Sequence, residues 1–200
     1  MPDRVPATVC RSSSAMLGEY GKVPMFVNVQ TRLRLEHFDD DLMGLGLVEE
    51  PVHPSYIKSY EDPNETPSSW AARWDLSSWG FVVATQDDRV VGGCVIAYRT
   101  NGVNMLEGRD DVAVLWDIRV HPSLQRCGIG SRLFEQAVAF AQERSCKYLK
   151  IETQNVNVPA CRFYQRQGCY LGGIREHAYK ELPHEIELLW YLPLARSHGA

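Results

Sequence analysis

The stretch Val112-Ala113-Val114-Leu115-Trp116-Asp117-Ile118-Arg119-Val120-His121-Pro122-Ser123-Leu124-Gln125-Arg126-Cys127-Gly128-Ile129-Gly130 decides the reading of this chain. Val112 to Val120 are mostly apolar and rich in β-branched residues, which suits a buried strand, and His121-Pro122 ends the run. Beyond the two glycines, Leu133, Phe134, Ala137, Val138 and Ala141 recur at helical spacing between Ser131 and Arg144. Arg132, Glu135, Gln136, Gln142 and Glu143 fall on the opposite side. A helix that starts just after a strand offers unpaired backbone N–H groups and a partial positive charge, which together suit an anion such as a pyrophosphate. Gly128 and Gly130 carry no Cβ, so backbone can approach a ligand closely, and Arg126 adds a charge-assisted contact. Two glycines are equally what a tight strand-to-helix turn needs. The third glycine of GxGxxG is absent, Leu133 standing in its place, and no GK[ST] follows; both absences argue against a nicotinamide dinucleotide and against ATP.

Upstream of this stretch, Phe81 to Ala84, the turn Gln86-Asp87-Asp88-Arg89 and Val90 to Tyr98 read as an antiparallel hairpin. Met25, Val27, Val29, Leu33 and Leu35 place apolar side chains at alternate positions within Lys22 to Leu35, predicting another strand. Glu50 to Asp75 carries Pro51, Pro54, Pro63 and Pro67 and reads as a long irregular connection. Met1 to about Glu19 mixes Ser, Pro and Arg without periodicity, so a loose N-terminal arm is expected over 1–19, with one domain over 20–200. Downstream, Tyr148 to Glu152 predicts a strand and Glu185 to Leu192 a last one. Val158 to Gln167 predicts a helix, with Pro159 in its first turn and Gly168 past its end. The order of elements describes a mixed α/β domain.

The 200 residues, 44% hydrophobic, suffice for one sizeable core. A net charge of −4 lacks the basic field that sequence-independent nucleic-acid binding uses, so a nucleic-acid partner is not expected. Cys10, Cys94, Cys127, Cys146, Cys161 and Cys169 follow neither a CxxC pattern nor zinc spacing, so reduced thiols and no metal are expected. The N-terminus lacks the apolar run of roughly seven residues that a signal peptide uses, and no stretch approaches the roughly 18 apolar residues of a membrane span. The expectation is a cytoplasmic protein with no membrane partner.

Gln125-Arg126-Cys127-Gly128-Ile129-Gly130, between a strand and a helix, resembles the [QR]xxGx[GA] signature of the GNAT superfamily of acyl-CoA N-acyltransferases. A second family motif, Asn followed by Ala at +3, Tyr at +7 and then Gly, stands as Asn157, Ala160, Tyr164 and Gly168. The resemblance covers about 79–194. Within it the segments WDIRVHP, IETQNVNVPACRFYQRQGC and HEIELLWY are most similar to streptothricin acetyltransferases and their bacterial relatives, while the N-terminal third resembles them less.

The resemblance implies a largely antiparallel central sheet flanked by helices, with splayed central strands. It also implies acetyl transfer from acetyl-CoA to a primary amine of a small cationic molecule, such as a streptothricin-type antibiotic. Backbone groups of Ile118 and Val120 would meet the pantetheine arm, and Gln125, Arg126, Cys127, Gly128, Ile129, Gly130 and Ser131 would cradle the pyrophosphate. Asn157, with Asn155 sharing the task, would hydrogen-bond the pantetheine amide, although Asn157 is also a natural helix cap. Tyr164 would protonate the departing thiolate; the other reading of it is a core aromatic beside Phe163. An amine with a pKa of about 10.4 must lose a proton before it attacks, at roughly 4–5 kcal/mol near neutrality. Asp117 or Glu152 would accept that proton, unless each is spent in an ion pair with Arg119 or Lys150. His121 is expected to shape the loop entry. A homodimer is common in the superfamily. A polyamine or protein acceptor, and a non-catalytic acyl-CoA-binding module, are the competing readings.

Overall fold

A computed structural model describes residues 6–38 and 44–194. The chain runs β1 (Thr8–Arg11), α1 (Leu17–Tyr20), β2 (Phe26–Phe38), β3 (Gly44–Ser59), α2 (Trp70–Arg73), β4 (Gly80–Gln86) and β5 (Arg89–Ala97). It continues through β6 (Val112–Val120), α3 (Ile129–Glu143), β7 (Tyr148–Gln154), α4 (Val158–Arg166), β8 (Tyr170–Arg175) and β9 (Glu187–Pro193). Its described residues divide into two compact units: the first takes residues 6–25, 60–151 and 192–194, the second 26–38, 44–59 and 152–191.

In the first unit the strands lie in the order β1-β4-β5-β6-β7, all antiparallel except β6 with β7. The β4–β5 hairpin forms as predicted; Asp87 and Asp88 both have positive φ, 48° and 58°, the twist that a two-residue hairpin loop demands. Helix α3 buries Ile129, Leu133, Phe134, Ala137, Phe140 and Ala141, the face that its periodicity marked. Trp70, Trp74 and Trp79 are buried and pack with Trp116 around the same core, the last two with ring centroids 5.6 Å apart. Those indoles belong to the hydrophobic core of this unit.

Two expectations for the N-terminal third need correction. From Thr8 onward the segment expected to be a loose arm is structured: Thr8–Arg11 pair with Val82–Thr85 of β4, and Met16, Leu17 and Tyr20 enter the core. Residues 1–5 of that arm lie outside the described part. The segment expected to be an irregular connection from Glu50 is, up to Ser59, the second half of the 16-residue strand β3. Its prolines misled because the β2–β3 ladder is two-stranded and interrupted. The register jumps from Val29↔Tyr56 to Thr31↔Pro51, so Val52–Ser55 bulge out of the pairing and Pro54 withholds no ladder hydrogen bond.

The second unit holds that ladder, the end of β7, α4, and the strands β9 and β8, which pair antiparallel. β8, not predicted, begins two residues after Gly168, whose φ of +86° ends α4. Trp190 is buried in this unit and donates to Thr153 Oγ1 at 2.9 Å.

Candidate active site

The residues singled out from sequence fall in both units, Asp117 to Ser131 in the first and Glu152 to Tyr164 in the second. In the first unit, β6 pairs with β7 only from Val112 to Val114, opposite Tyr148 to Lys150. Among the described residues Asp117–Val120 then pair with β5 alone, opposite Gly92–Val95. The other edge of Ile118 and Val120 thus carries backbone groups with no strand partner, which an extended acyl arm can use. A register shift at Trp116, between Val95↔Asp117 and Ile96↔Leu115, marks where β6 changes course.

Past β6, His121 Nδ1 lies 2.8 Å from Ser123 Oγ and its backbone N–H donates to Val91 O at 2.8 Å, so His121 braces the loop entry as expected. Gln125, Arg126, Cys127 and Gly128 are exposed. Gly128 caps α3 in the left-handed conformation (φ 81°), and a Cβ there would meet no atom within 4 Å, leaving room over the helix start. Arg126 is also left-handed (φ 63°), a conformation that costs a non-glycine residue about 1 kcal/mol. Ile129 is buried beneath the loop, while Gly130 and Ser131 lie in the first turn, half-buried.

Asp117 is buried and committed. Arg119 Nε donates to its Oδ1 at 3.0 Å and Arg119 Nη2 to its Oδ2, and the phenol of Tyr20 also donates to Oδ1. The Arg119 and Asp117 side chains are 7% and 9% exposed, so the ion-pair alternative weighed for Asp117 is the arrangement found. Burial, reinforced by the Asp117 charge, holds the Tyr20 phenol well above its ordinary pKa. Burial, the largest single influence, lowers the Arg119 guanidinium, but the hydrogen bond and charge of Asp117 together with Tyr20 outweigh it and the net shift is upward. Gly93 admits this network, since a Cβ there would lie 2.9 Å from the Tyr20 ring and 2.6 Å from Val82 O.

In the second unit Glu152 is half-buried and its Oε1 accepts from Tyr179 Oη at 2.6 Å. Gln154, two residues along β7 and so on the same face, donates through Nε2 to that phenol at 3.3 Å. Burial and then the Glu152 charge push the Tyr179 phenol far up, so it remains a donor. Lys150, suggested as an ion partner, instead meets Glu107 at 2.6 Å. Asn155 is 2% exposed and works as a bracket: Nδ2 donates to Leu33 O at 2.8 Å and Oδ1 accepts from Ile186 N at 2.9 Å. Those bonds commit to backbone the side chain expected to share in binding the pantetheine. Asn157 caps α4, Oδ1 accepting from Ala160 N at 3.2 Å. Tyr164 is 5% exposed and meets Phe163 edge-on, with ring centroids 5.2 Å apart.

Sequence reasoning missed Tyr20, Tyr179 and Arg119's double grip. Tyr20 and Tyr179 lie in segments without a motif, and only folding brings them to their carboxylates. Among the described residues no group of His, Cys, Asp and Glu has the arrangement to hold a metal, and no helix is long and apolar enough to cross a membrane.

Comparison with known proteins gives the family and the fold. Residues 50–169 match the Acetyltransferase (GNAT) family. Streptothricin acetyltransferase A of Bacillus subtilis is 28% identical over 145 residues, which are 72% of this chain and 76% of that protein. The crystal structure of a nourseothricin acetyltransferase aligns over 96% of this chain and all of that one, with a TM-score of 0.74 and 26% identity. A Bacillus anthracis protein solved in complex with acetyl coenzyme A shares the fold over 96% of this chain and all of its own, with a TM-score of 0.72 and 24% identity. With its loop, its helix cap and its mostly antiparallel sheet flanked by helices, the chain belongs to the GNAT family and is an N-acetyltransferase.

Proposed function

We propose that this N-acetyltransferase moves acetyl from acetyl-CoA directly to a primary amine of a small cationic molecule, with a streptothricin-type antibiotic as the first acceptor to try. The observation that carries the reading is the exposed loop Gln125–Gly128 opening α3, with Gly128 left-handed and clear space above it, in a chain of the GNAT family. The names of its relatives support the acceptor class. Because the family match runs through both units, we take residues 20–200 as one acyltransferase domain.

The fit to acetyl-CoA rests on three features of the chain. The loop and first turn of α3 direct N–H groups and Arg126 at a pyrophosphate. The unpaired edge of Ile118 and Val120 suits the pantetheine amides, and Asn157, whose Oδ1 caps α4, keeps an N–H₂ of the kind the family motif offers to a pantetheine amide. In the reaction the amine nitrogen attacks the thioester carbonyl carbon, the N–C bond forms and the C–S bond breaks. Tyr164, protonated at neutral pH, gives its proton to the leaving thiolate. The ammonium's first proton goes to Glu152, and the second proton lost from nitrogen restores Tyr164 through water. Ammonium plus acetyl-CoA thus become amide, CoA thiol and one proton.

Glu152 suits the base better than Asp117. Both Asp117 oxygens are held by the buried Arg119 guanidinium, while Glu152 is half-buried and accepts from the neutral Tyr179 phenol. The deciding experiment incubates the enzyme with acetyl-CoA and an acceptor panel of streptothricin, a polyamine and a lysine-containing peptide. Thiol release and acetylation of the antibiotic are expected; acetyl-CoA binding without thiol release for any acceptor would overturn the reading.

A further inference from the structure

The second unit contains two adjoining cavities, of about 220 and 290 Å³, that share Arg32, Pro183, His184 and Glu185 as walls. Glu185 is 8% exposed. One carboxylate oxygen, Oε1, holds the Lys58 ammonium at 2.5 Å, with both side chains nearly buried. The other, Oε2, is buried without a hydrogen-bond partner. A charged acceptor left unsatisfied away from water is costly, and a ligand bringing an N–H donor relieves it.

The surrounding charges select the kind of donor. Arg32 and Arg34 are already engaged by Glu50 at 2.7 and 3.0 Å, and Arg34 also by Glu36 at 3.0 Å. Glu176 lines one cavity and Glu181 the other, so that, with Glu36 and Glu50 on the two arginines and Glu185 on Lys58, five carboxylates stand against Arg32, Arg34 and Lys58 and the local field favours a cation. Tyr56, which also lines the larger cavity, offers an aromatic face to such a group. Asn155, on the wall of the smaller cavity, lies three residues after Glu152, roughly 10 Å of extended chain at about 3.3 Å per residue.

We propose that Glu185 and its cavity bind a second ammonium group of the acceptor, one that is not acetylated, so that the preferred substrate is a di- or polycationic amine. This rests on the assignment of an amine acceptor made above. The segment Glu181–His184, exposed over the buried Glu185, is the wall that must shift to admit the group.

The test compares octylamine with 1,8-diaminooctane, which differ in the second ammonium, on the wild type, Glu185→Gln, and the double variant Lys58→Met/Glu185→Gln. The double variant removes both buried charges together and guards against misfolding caused by a stranded Lys58. The wild type is expected to favour the diamine in kcat/KM by about tenfold or more, and both variants to lose that preference. Calorimetric titration of the diamine in the presence of CoA is run alongside. If the diamine is acetylated and the variants keep the wild-type preference, the Glu185 site is wrong while the acetyl-transfer reading stands. If the diamine binds the wild type in a Glu185-dependent way but is never acetylated, the site stands and the acceptor assignment fails. Absence of any diamine binding and of any preference overturns the site.

Discussion

Tyr20 and Asp117, 97 positions apart in sequence, share a hydrogen bond within the first unit, the fully buried phenol donating to the carboxylate that Arg119 also grips. The arrangement makes Asp117 a brace between the N-terminal segment and β6. Tyr20→Phe removes one donor from a buried carboxylate and is expected to cost about 1–3 kcal/mol. Asp117→Asn strands the buried Arg119 charge and is expected to cost more, about 3–5 kcal/mol. Urea denaturation measures both losses. If Asp117 were instead the base, Asp117→Asn would abolish turnover in protein whose stability matched the wild type.

Tyr164→Phe keeps the ring that packs against Phe163 and removes only the phenol hydroxyl, the proposed proton donor. The expected result is a fall in kcat of about 100-fold or more, within the range of general acid–base contributions, while the affinity for acetyl-CoA changes less than about threefold. Single-turnover kinetics with equilibrium titration of acetyl-CoA separates the two. Unchanged kcat would return Tyr164 to the core.

Asn157 caps α4, and substitution can separate that role from the proposed contact with acetyl-CoA. Serine also caps helices, so Asn157→Ser should hold stability within about 0.5 kcal/mol, whereas Asn157→Ala should lose about 1 kcal/mol. The serine lacks the amide N–H₂, so the KM for acetyl-CoA is expected to rise about fivefold in both variants. A serine variant with wild-type KM would leave Asn157 as a cap alone.

Thiol chemistry should report on the loop. Cys10 and Cys127 are exposed and the other four cysteines are buried. A thiol reagent is therefore expected to modify two groups rapidly, and acetyl-CoA to slow the reaction at Cys127 if the loop holds its pyrophosphate.

Burial pushes the Cys146 thiol up to about 11 and that of Cys169 up to about 12. The folded state thus prefers these protonated, and the stability they confer is complete below the unfolded thiol pKa near 8.5. It should fall as pH rises from there through about 11 to 12. Replacing both with alanine should flatten that alkaline limb of the denaturation midpoint against pH, even if cavities lower it at every pH.

Legibility of the fold followed the range of the forces that fix each element. The β4–β5 hairpin, α3 and α4 were readable because a two-residue turn, a 3.6-residue periodicity and a proline–glycine frame act within a few residues. β1 and β8 were not: four and six residues of modest pattern become strands only because a neighbouring edge supplies partners for their backbone groups. β3 was misread where Pro51 and Pro54 stand, since only the register with β2 reveals that Val52–Ser55 lie outside the ladder.

The same division holds for the site. Local residue types set the strand-to-helix loop Gln125–Gly130 and the Asn157–Tyr164 helix, because both depend on backbone conformations that neighbouring residues impose. The use of each carboxylate emerged on folding, since a charge takes its meaning from whatever lies a few ångströms away. Folding gave Asp117 to Arg119 and Tyr20, Glu152 to Tyr179, and Glu185 to Lys58 with one oxygen left over.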